Sequence, residues 1–315
     1  MKKIFFITVL TTIMLYAQTI NTPNARYISS GAVSDIVYKN FKLYSATDAS
    51  CVDIFDKNSK KIVQKIMVDK IVDFMGDSID SKVYSVDVWH SKVLVLSLGK
   101  RGARRVHIYE NGKLNLVLPA SKGLYIAKAK FIDEHTILLA LLSNMIISYD
   151  IQTQKENYEI QASQSKFSDF VLNEDKTQVV IADESGNLQI HNTKDGSFVK
   201  ELAGENLDNV FQVDIKNNVI ATAGKDRRVV IYNGKRAYYK KAKFLIYSVG
   251  LSPSGKIVGY ASDENNNVTL FKTATKTKIG VYGGNKMTLT NIIFINENEF
   301  FVSSDDKTIN YYKIR

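Results

Sequence analysis

Short stretches in which apolar and polar side chains alternate recur along the chain, and each ends in a bulky ring residue. The clearest are Cys51-Val52-Asp53-Ile54-Phe55, Asn187-Leu188-Gln189-Ile190-His191, Arg228-Val229-Val230-Ile231-Tyr232, Asn267-Val268-Thr269-Leu270-Phe271 and Thr308-Ile309-Asn310-Tyr311-Tyr312. Alternation with period two turns successive side chains to opposite faces of a β-strand, so each stretch predicts a strand with one face against a neighbouring element. With Tyr109 and Tyr149 added, the ring residues form a series at intervals of 54, 40, 42, 41, 39 and 41 residues.

Within each interval the most apolar run predicts an inner strand. These runs are Val33 to Tyr38, Val83 to Trp89, Ala127 to Ile132, Phe167 to Leu172, Val210 to Ile215, Ile246 to Leu251 and Leu289 to Ile295. Several share a phrase, seen in Ser34-Asp35-Ile36, Ser85-Val86-Asp87 and Ser168-Asp169-Phe170. A second strand rich in β-branched and small residues follows each, as in Gln178 to Ala182 and Val219 to Ala223. Polar turns such as Lys216-Asn217-Asn218 and Ser252-Pro253-Ser254-Gly255 separate the strands, because Asn and Gly allow the backbone reversals that hairpins need.

Four strands in about 41 residues make one blade of a β-propeller. Seven such units predict an all-β, seven-bladed ring. The last repeat reaches Arg315 directly after its third strand, so its outer strand must come from elsewhere. The extended segment Ala25-Arg26-Tyr27-Ile28-Ser29 is predicted to pair beside Ile309 to Ile314, closing the ring and covering an exposed edge.

The first residues read differently. Lys2 and Lys3 precede an apolar run from Ile4 to Tyr16 and then Ala17, the layout of a secretory signal peptide. At 13 residues, interrupted by three threonines, that run falls short of the ~20 needed to span a bilayer. The expected organisation is a signal peptide over 1–17 and one propeller domain over 18–315, delivered to the periplasm, without a membrane span after cleavage, and monomeric. Cys51 is the only cysteine, which rules out an internal disulfide and leaves burial of blade faces as the source of stability.

The formal charge of +10 falls to +8 once Lys2 and Lys3 are removed, and such a surface favours acidic partners. An exported chain without a nucleic-acid-binding motif is not expected to bind nucleic acid.

The period, the Ser252-Pro253-Ser254-Gly255 hairpin and the Asp-bearing turns before ring-ended strands resemble the WD40-repeat superfamily. Phe55-Asp56 and Tyr149-Asp150 stand closest to its Trp-Asp pair, which is absent, as is its Gly-His pair. More narrowly, the signal peptide and the phrase Ser30-Gly31-Ala32-Val33-Ser34-Asp35 resemble the NapL-type periplasmic WD40 proteins encoded with periplasmic nitrate reductase. That resemblance implies an accessory role in assembling or supporting the reductase, with reductase subunits or maturation factors as partners and no chemistry of its own.

No Gly-x-Ser-x-Gly elbow, phosphate-binding glycine loop or His-Glu-x-x-His motif occurs, and the four histidines (His90, His107, His135 and His191) form no ligand-spaced pair. No catalytic residue, metal or cofactor is expected. Two alternatives stand beside the accessory reading: a scaffold of another envelope complex, and a propeller hydrolase with a metal site in its channel.

The longest interval, from Phe55 to Tyr109, predicts an insertion. Within it Lys100, Arg101, Arg104 and Arg105 read as a compact basic loop between strands, and Lys225, Arg227 and Arg228 occupy the corresponding turn of the fifth repeat. Asp183, Glu184, Asp263, Glu264, Asp305 and Asp306 take the same turn in the fourth, sixth and seventh repeats. One ring face would then carry separate basic and acidic sectors able to orient a partner protein. The lysine-rich turns of the opposite face, including Lys57, Lys60 and Lys276, read as solubilising charge.

Overall fold

The computed structural model describes residues 19–314, so the predicted signal peptide over 1–17 and the cleavage after Ala17 lie outside the described residues. Seven antiparallel sheets follow one another along the chain. Blade one runs from channel to rim as Val33–Lys39, Lys42–Thr47, Cys51–Asp56 and Ile62–Met67. Blades two to seven repeat this order from the inner strands Val83–Trp89, Ile126–Phe131, Phe167–Leu172, Val210–Lys216, Val249–Leu251 and Leu289–Asn296. The sixth inner strand is thus shorter than the apolar run from Ile246 predicts.

The second and third strands of each blade are buried on both faces, as in Gln178–Asp183 and Arg228–Asn233. Apolar clusters therefore lie between blades. Val229 and Ile231 of blade five, for instance, share one cluster with Val249 and Leu251 of blade six and Phe300 of blade seven. The ring residues that mark the period hold one register throughout: Phe55 lies opposite Leu43, Tyr149 opposite Ile137, His191 opposite Val179 and Tyr312 opposite Phe300. In blades one, three, four and six the pairing with the outer strand shifts register at this residue. The constant position of the ring residue in the third strand is the physical content of the repeat. Two-residue turns join first to second strands where the sequence is Asn40-Phe41 or Asn217-Asn218, with all four residues at positive φ, as a type I′ turn requires.

The ring closes as predicted. Ala25–Ile28 pairs antiparallel with Thr308–Lys313, Ala25 opposite Tyr311 and Ile28 opposite Thr308. Tyr27 secures the closure: it is 1% exposed, meets Phe55 and Phe301 edge-on at 5.6 and 5.3 Å, and donates its hydroxyl to the Lys57 carbonyl at 2.7 Å. The next residues lock onto blade one, where Ser30 N and Oγ both donate to Asp53 and Ala32 N donates to Asp48 Oδ1. Gly31 between them has no room for a side chain, since a Cβ would come within 2.2 Å of Asp48 Oδ1. A further pairing, Ile20–Asn21 parallel to the outer strand Lys278–Tyr282 of blade six, has no counterpart in the sequence reading.

The insertion is elsewhere than the charge pattern placed it. The extra residues form a small hairpin, Ile71–Val72 against Ser78–Ile79, between blades one and two. Lys100–Gly102 is a single 3-10 turn, and Arg104 and Arg105 already belong to the third strand Arg104–Glu110.

Replacing Tyr27 by Ala is expected to remove about 3–5 kcal/mol of stability, the range for deleting a buried aromatic ring. Urea unfolding measures it, and a loss below about 1 kcal/mol would show that the closing strand is held by its backbone alone.

Candidate functional site

A propeller's inner strands are sheet edges, and an edge presents unpaired N–H groups that cost free energy when buried. Here the shared acidic phrase supplies their partners. Asp35 of blade one accepts from Val86 N of blade two at 3.0 Å, and Asp87 of blade two from Phe131 N of blade three at 2.8 Å. Asp169 of blade four accepts from Val213 N at 3.0 Å, and Asp214 of blade five from Leu251 N at 2.8 Å. Gln212 does the same for Val249 N at 2.9 Å. Gly250 of blade six works by having no side chain, because a Cβ would lie 2.0 Å from the Ile292 carbonyl of blade seven.

Lysines from other blades balance these carboxylates. Lys130 lies 2.9 Å from Asp35, Lys128 2.6 Å from Asp169 and Lys176 3.9 Å from Asp87, while Lys216 of the same strand lies 3.5 Å from Asp214. Burial disfavours the charge on Lys128, but Asp169, Asp35 and Asp214 outweigh it and hold the ammonium above the ordinary lysine range. The cavity they surround, about 330 Å³, is lined by residues that already have partners. Among the described residues no group of three or more His, Cys, Asp or Glu side chains is placed to hold a metal ion. The carboxylates of this channel hold neighbouring blades together. Sequence reasoning saw the Ser-Asp phrase without its use; the available signal was a carboxylate recurring within the most apolar strand of a repeat.

Because strands alternate in direction, turns between second and third strands share one end of the ring with the connections between blades. The candidate charged residues all lie at that end, though not as one kind of group. Lys100 and Arg101 are exposed, and among the described residues neither has an ion-pair partner. Arg104 stacks on the Tyr84 ring at 3.9 Å and donates to the Gly102 carbonyl. Arg105 donates to the Asp69 carbonyl at 2.6 Å and Ser81 Oγ at 3.0 Å, clasping both legs of the inserted hairpin. These contacts explain why the two arginines leave the loop and join the strand.

In blade five Lys225 meets Asp208 at 3.5 Å and Arg227 is exposed, while Arg228 donates to the Glu205 carbonyl at 2.8 Å and covers the Tyr239 ring at 4.1 Å. Asp183 is buried and accepts from Ser163 Oγ, Asn144 Nδ2 and Ser185 N, tying its turn to the connection that enters blade four. Asp263 caps its own turn through Asn265 N and Asn267 N at 3.1 Å each, and the half-buried Asp306 receives Val33 N on its carbonyl at 3.2 Å. Glu184, in a 3.6 Å pair with Lys166, remains exposed beside Glu264 and Asp305. Of the predicted site residues, Arg104, Arg105, Arg228, Asp183, Asp263 and Asp306 serve the architecture, and Lys100, Arg101, Arg227, Glu184, Glu264 and Asp305 stay exposed.

Charge patterning missed the apolar part of this end. Phe74, Met75, Tyr125, Leu207, Phe244 and Met287 are all exposed, and every one lies in a connection between consecutive blades. The signal was present as large apolar residues in segments that the strand pattern leaves outside any blade.

No family model and no curated protein matches this chain. Many solved structures do. One is the propeller domain of Cps50 (Swd1) from Myceliophteria thermophila, which aligns with a TM-score of 0.74 and 13% identity over 93% of this chain and 99% of that one. The likeness shows the fold, a WD40-like seven-bladed propeller. Among the described residues no helix is long and apolar enough to cross a membrane.

His107 gives this end a pH signature. It is buried on the third strand of blade two, and burial first, then the Arg105 charge, push it from 6.5 down to about 4. The unfolded chain therefore takes up this proton more readily, so the contribution of neutral His107 is full above pH 6.5 and lost as pH falls toward about 4. Urea midpoints across that window are expected to fall with pH in the native chain and to fall less steeply in His107→Gln; parallel slopes would contradict the assignment.

Proposed function

We propose that this protein is a non-catalytic accessory scaffold of the periplasm, which binds partner proteins through the end of the ring where blades connect and supports assembly or activity of the periplasmic nitrate reductase system. The observation that carries the scaffold reading is the repetition of exposed apolar side chains, Phe74, Met75, Tyr125, Leu207, Phe244 and Met287, at that one end. Large apolar side chains left exposed among charged ones are a usual mark of a protein contact surface. The exposed charges between them, Lys100, Arg101, Arg227, Glu184, Glu264 and Asp305, would orient the partner and speed its approach. The channel carboxylates are engaged between blades, which favours a binding role over hydrolysis in the channel.

Export rests on the leader-like first residues, and the nitrate reductase assignment on the resemblance of the Ser30 to Asp35 phrase and of the repeat organisation. The net positive charge fits an acidic partner, reached by the mature chain as a monomer.

Affinity capture of the tagged mature chain from its native envelope fraction, with nitrate reductase assays in a deletion strain, tests this function. Recovery of reductase subunits or maturation factors, with activity reduced several-fold on deletion, is the expected outcome. Recovery of a different envelope complex with unchanged nitrate reduction would overturn the assignment to that system.

A further inference from the structure

The hairpin inserted between blades one and two is built to present its tip. Asp73 Oδ1 accepts both Met75 N and Asp77 N at 2.9 Å, Asp73 N donates to the Asp77 carbonyl at 3.0 Å, and Gly76 takes φ +93° to complete the turn. The legs are fixed as firmly. Arg105 clasps Asp69 and Ser81, Lys70 pairs with Asp80 at 3.1 Å, and Ser50 Oγ bridges Asp80 Oδ1 and Ser81 N at 2.9 and 2.8 Å. This rigid frame holds Phe74 at 95% exposure and Met75 at 72%, although nothing in the fold needs apolar groups there. Fixing such side chains in advance lowers the ordering cost of a contact yet to be made.

Facing the hairpin is the turn at Lys100–Gly102. Between them lies an open groove of about 670 Å³, with Val72, Phe74 and Ile79 on one wall and Leu98, Lys100 and Arg101 on the other. Arg101 sits at φ +56°, a conformation that residues with a side chain seldom adopt, and its guanidinium and the Lys100 ammonium have no ion-pair partner among the described residues. Arg104 and Arg105, next along the chain, are both engaged, so the two free cations are confined to the groove. Asp73, the carboxylate on the lining, is turned into its own hairpin, which leaves the groove net positive on one wall and apolar on the other.

We propose that this groove is a docking site for an extended segment of a partner protein in which one or two carboxylates stand beside a large apolar side chain. The carboxylates pair with Lys100 and Arg101, and the apolar side chain packs on Val72, Phe74 and Ile79. An anionic bilayer fits less well, because Asp69, Asp73, Asp77 and Asp80 against Lys70 give the hairpin that would enter it a net negative charge. This inference rests on the scaffold reading and gives it an address and a ligand chemistry.

The test places a photo-crosslinking benzophenone side chain at the exposed Phe74 of the full mature chain, irradiates the native envelope fraction and sequences the adduct. The same probe at Leu207, also at this end of the ring, serves as the comparison. The expected adduct at Phe74 is a segment of another protein bearing Asp or Glu next to a large apolar residue, reduced at least tenfold in Lys100→Glu, Arg101→Glu. Neither cation forms an ion pair or side-chain hydrogen bond with another described residue, so the variant is expected to keep the native unfolding temperature. A lipid adduct, an adduct with a second copy of this chain, a basic segment, an adduct indifferent to the charge reversal, or no adduct at Phe74 overturns the groove. A protein adduct at Leu207 alone would leave the scaffold standing without this groove, and protein adducts at neither position would remove both.

Discussion

A ring of seven sheets leaves seven inner edges facing one another, and everything else in this molecule depends on how their backbone N–H groups are satisfied. The ladder hydrogen bonds of each blade end at its inner strand. Beyond that strand a carboxylate or amide from one blade takes the amide of the next, through Asp35, Asp87, Asp169, Gln212 and Asp214. A buried amide without such a partner costs about 1–3 kcal/mol, and an uncompensated carboxylate costs more, so lysines are drawn into the channel with them. Lys128 crosses from blade three to Asp169 of blade four where no carboxylate bridges that step, and Asn291 reaches Asp35 at 3.4 Å where blade seven meets blade one. The stitching runs from blade seven across the point of closure and on to blade six, and between blades six and seven the close approach of Gly250 to Ile292 takes its place.

This commitment shapes the reading of function. Channel carboxylates engaged on both sides, by a backbone amide and by an ammonium, are poorly free to serve a substrate. Surface is available at the end where blades connect, and there too about half of the charged turns belong to the architecture. Arg105 holds the hairpin and Asp183 ties a turn to the preceding connection. The charged groups left over at this end, Lys100 and Arg101 with Arg227, Glu264 and Asp305, have no evident structural duty.

The fold was legible because the period has a local physical cause. A ring residue at the same register position of the third strand, opposite the second residue of the second strand, leaves its interval in the sequence whatever the neighbouring residues are. The closing strand was legible as well, since a seventh repeat with three strands demands a fourth and Ala25 to Ser29 is the extended segment available. The use of the inner-strand carboxylates was not, because period-two alternation assigns a side chain to a face without naming what lies across it. Charge was the poorest guide. Arg101 and Arg105 look alike in sequence, yet the legs of the inserted hairpin, at Asp69 and Ser81, give one two oxygen partners and leave the other free. Phe74 escaped for the opposite reason, as an apolar residue outside any strand pattern attracts no prediction until its exposure is seen. The parallel pairing of Ile20 and Asn21 is two residues long and carries no pattern at all.

Hydrogen exchange resolved to single amides tests the central claim, that carboxylates of one blade hold the inner edge of the next. The account predicts that the amides of Val86, Phe131, Val213 and Leu251 belong to the slowest class, exchanging only through global unfolding alongside the buried ladder amides of the second strands. Exchange of these four at the rate of the outer edge strands, with the rest of each blade still protected, would contradict it.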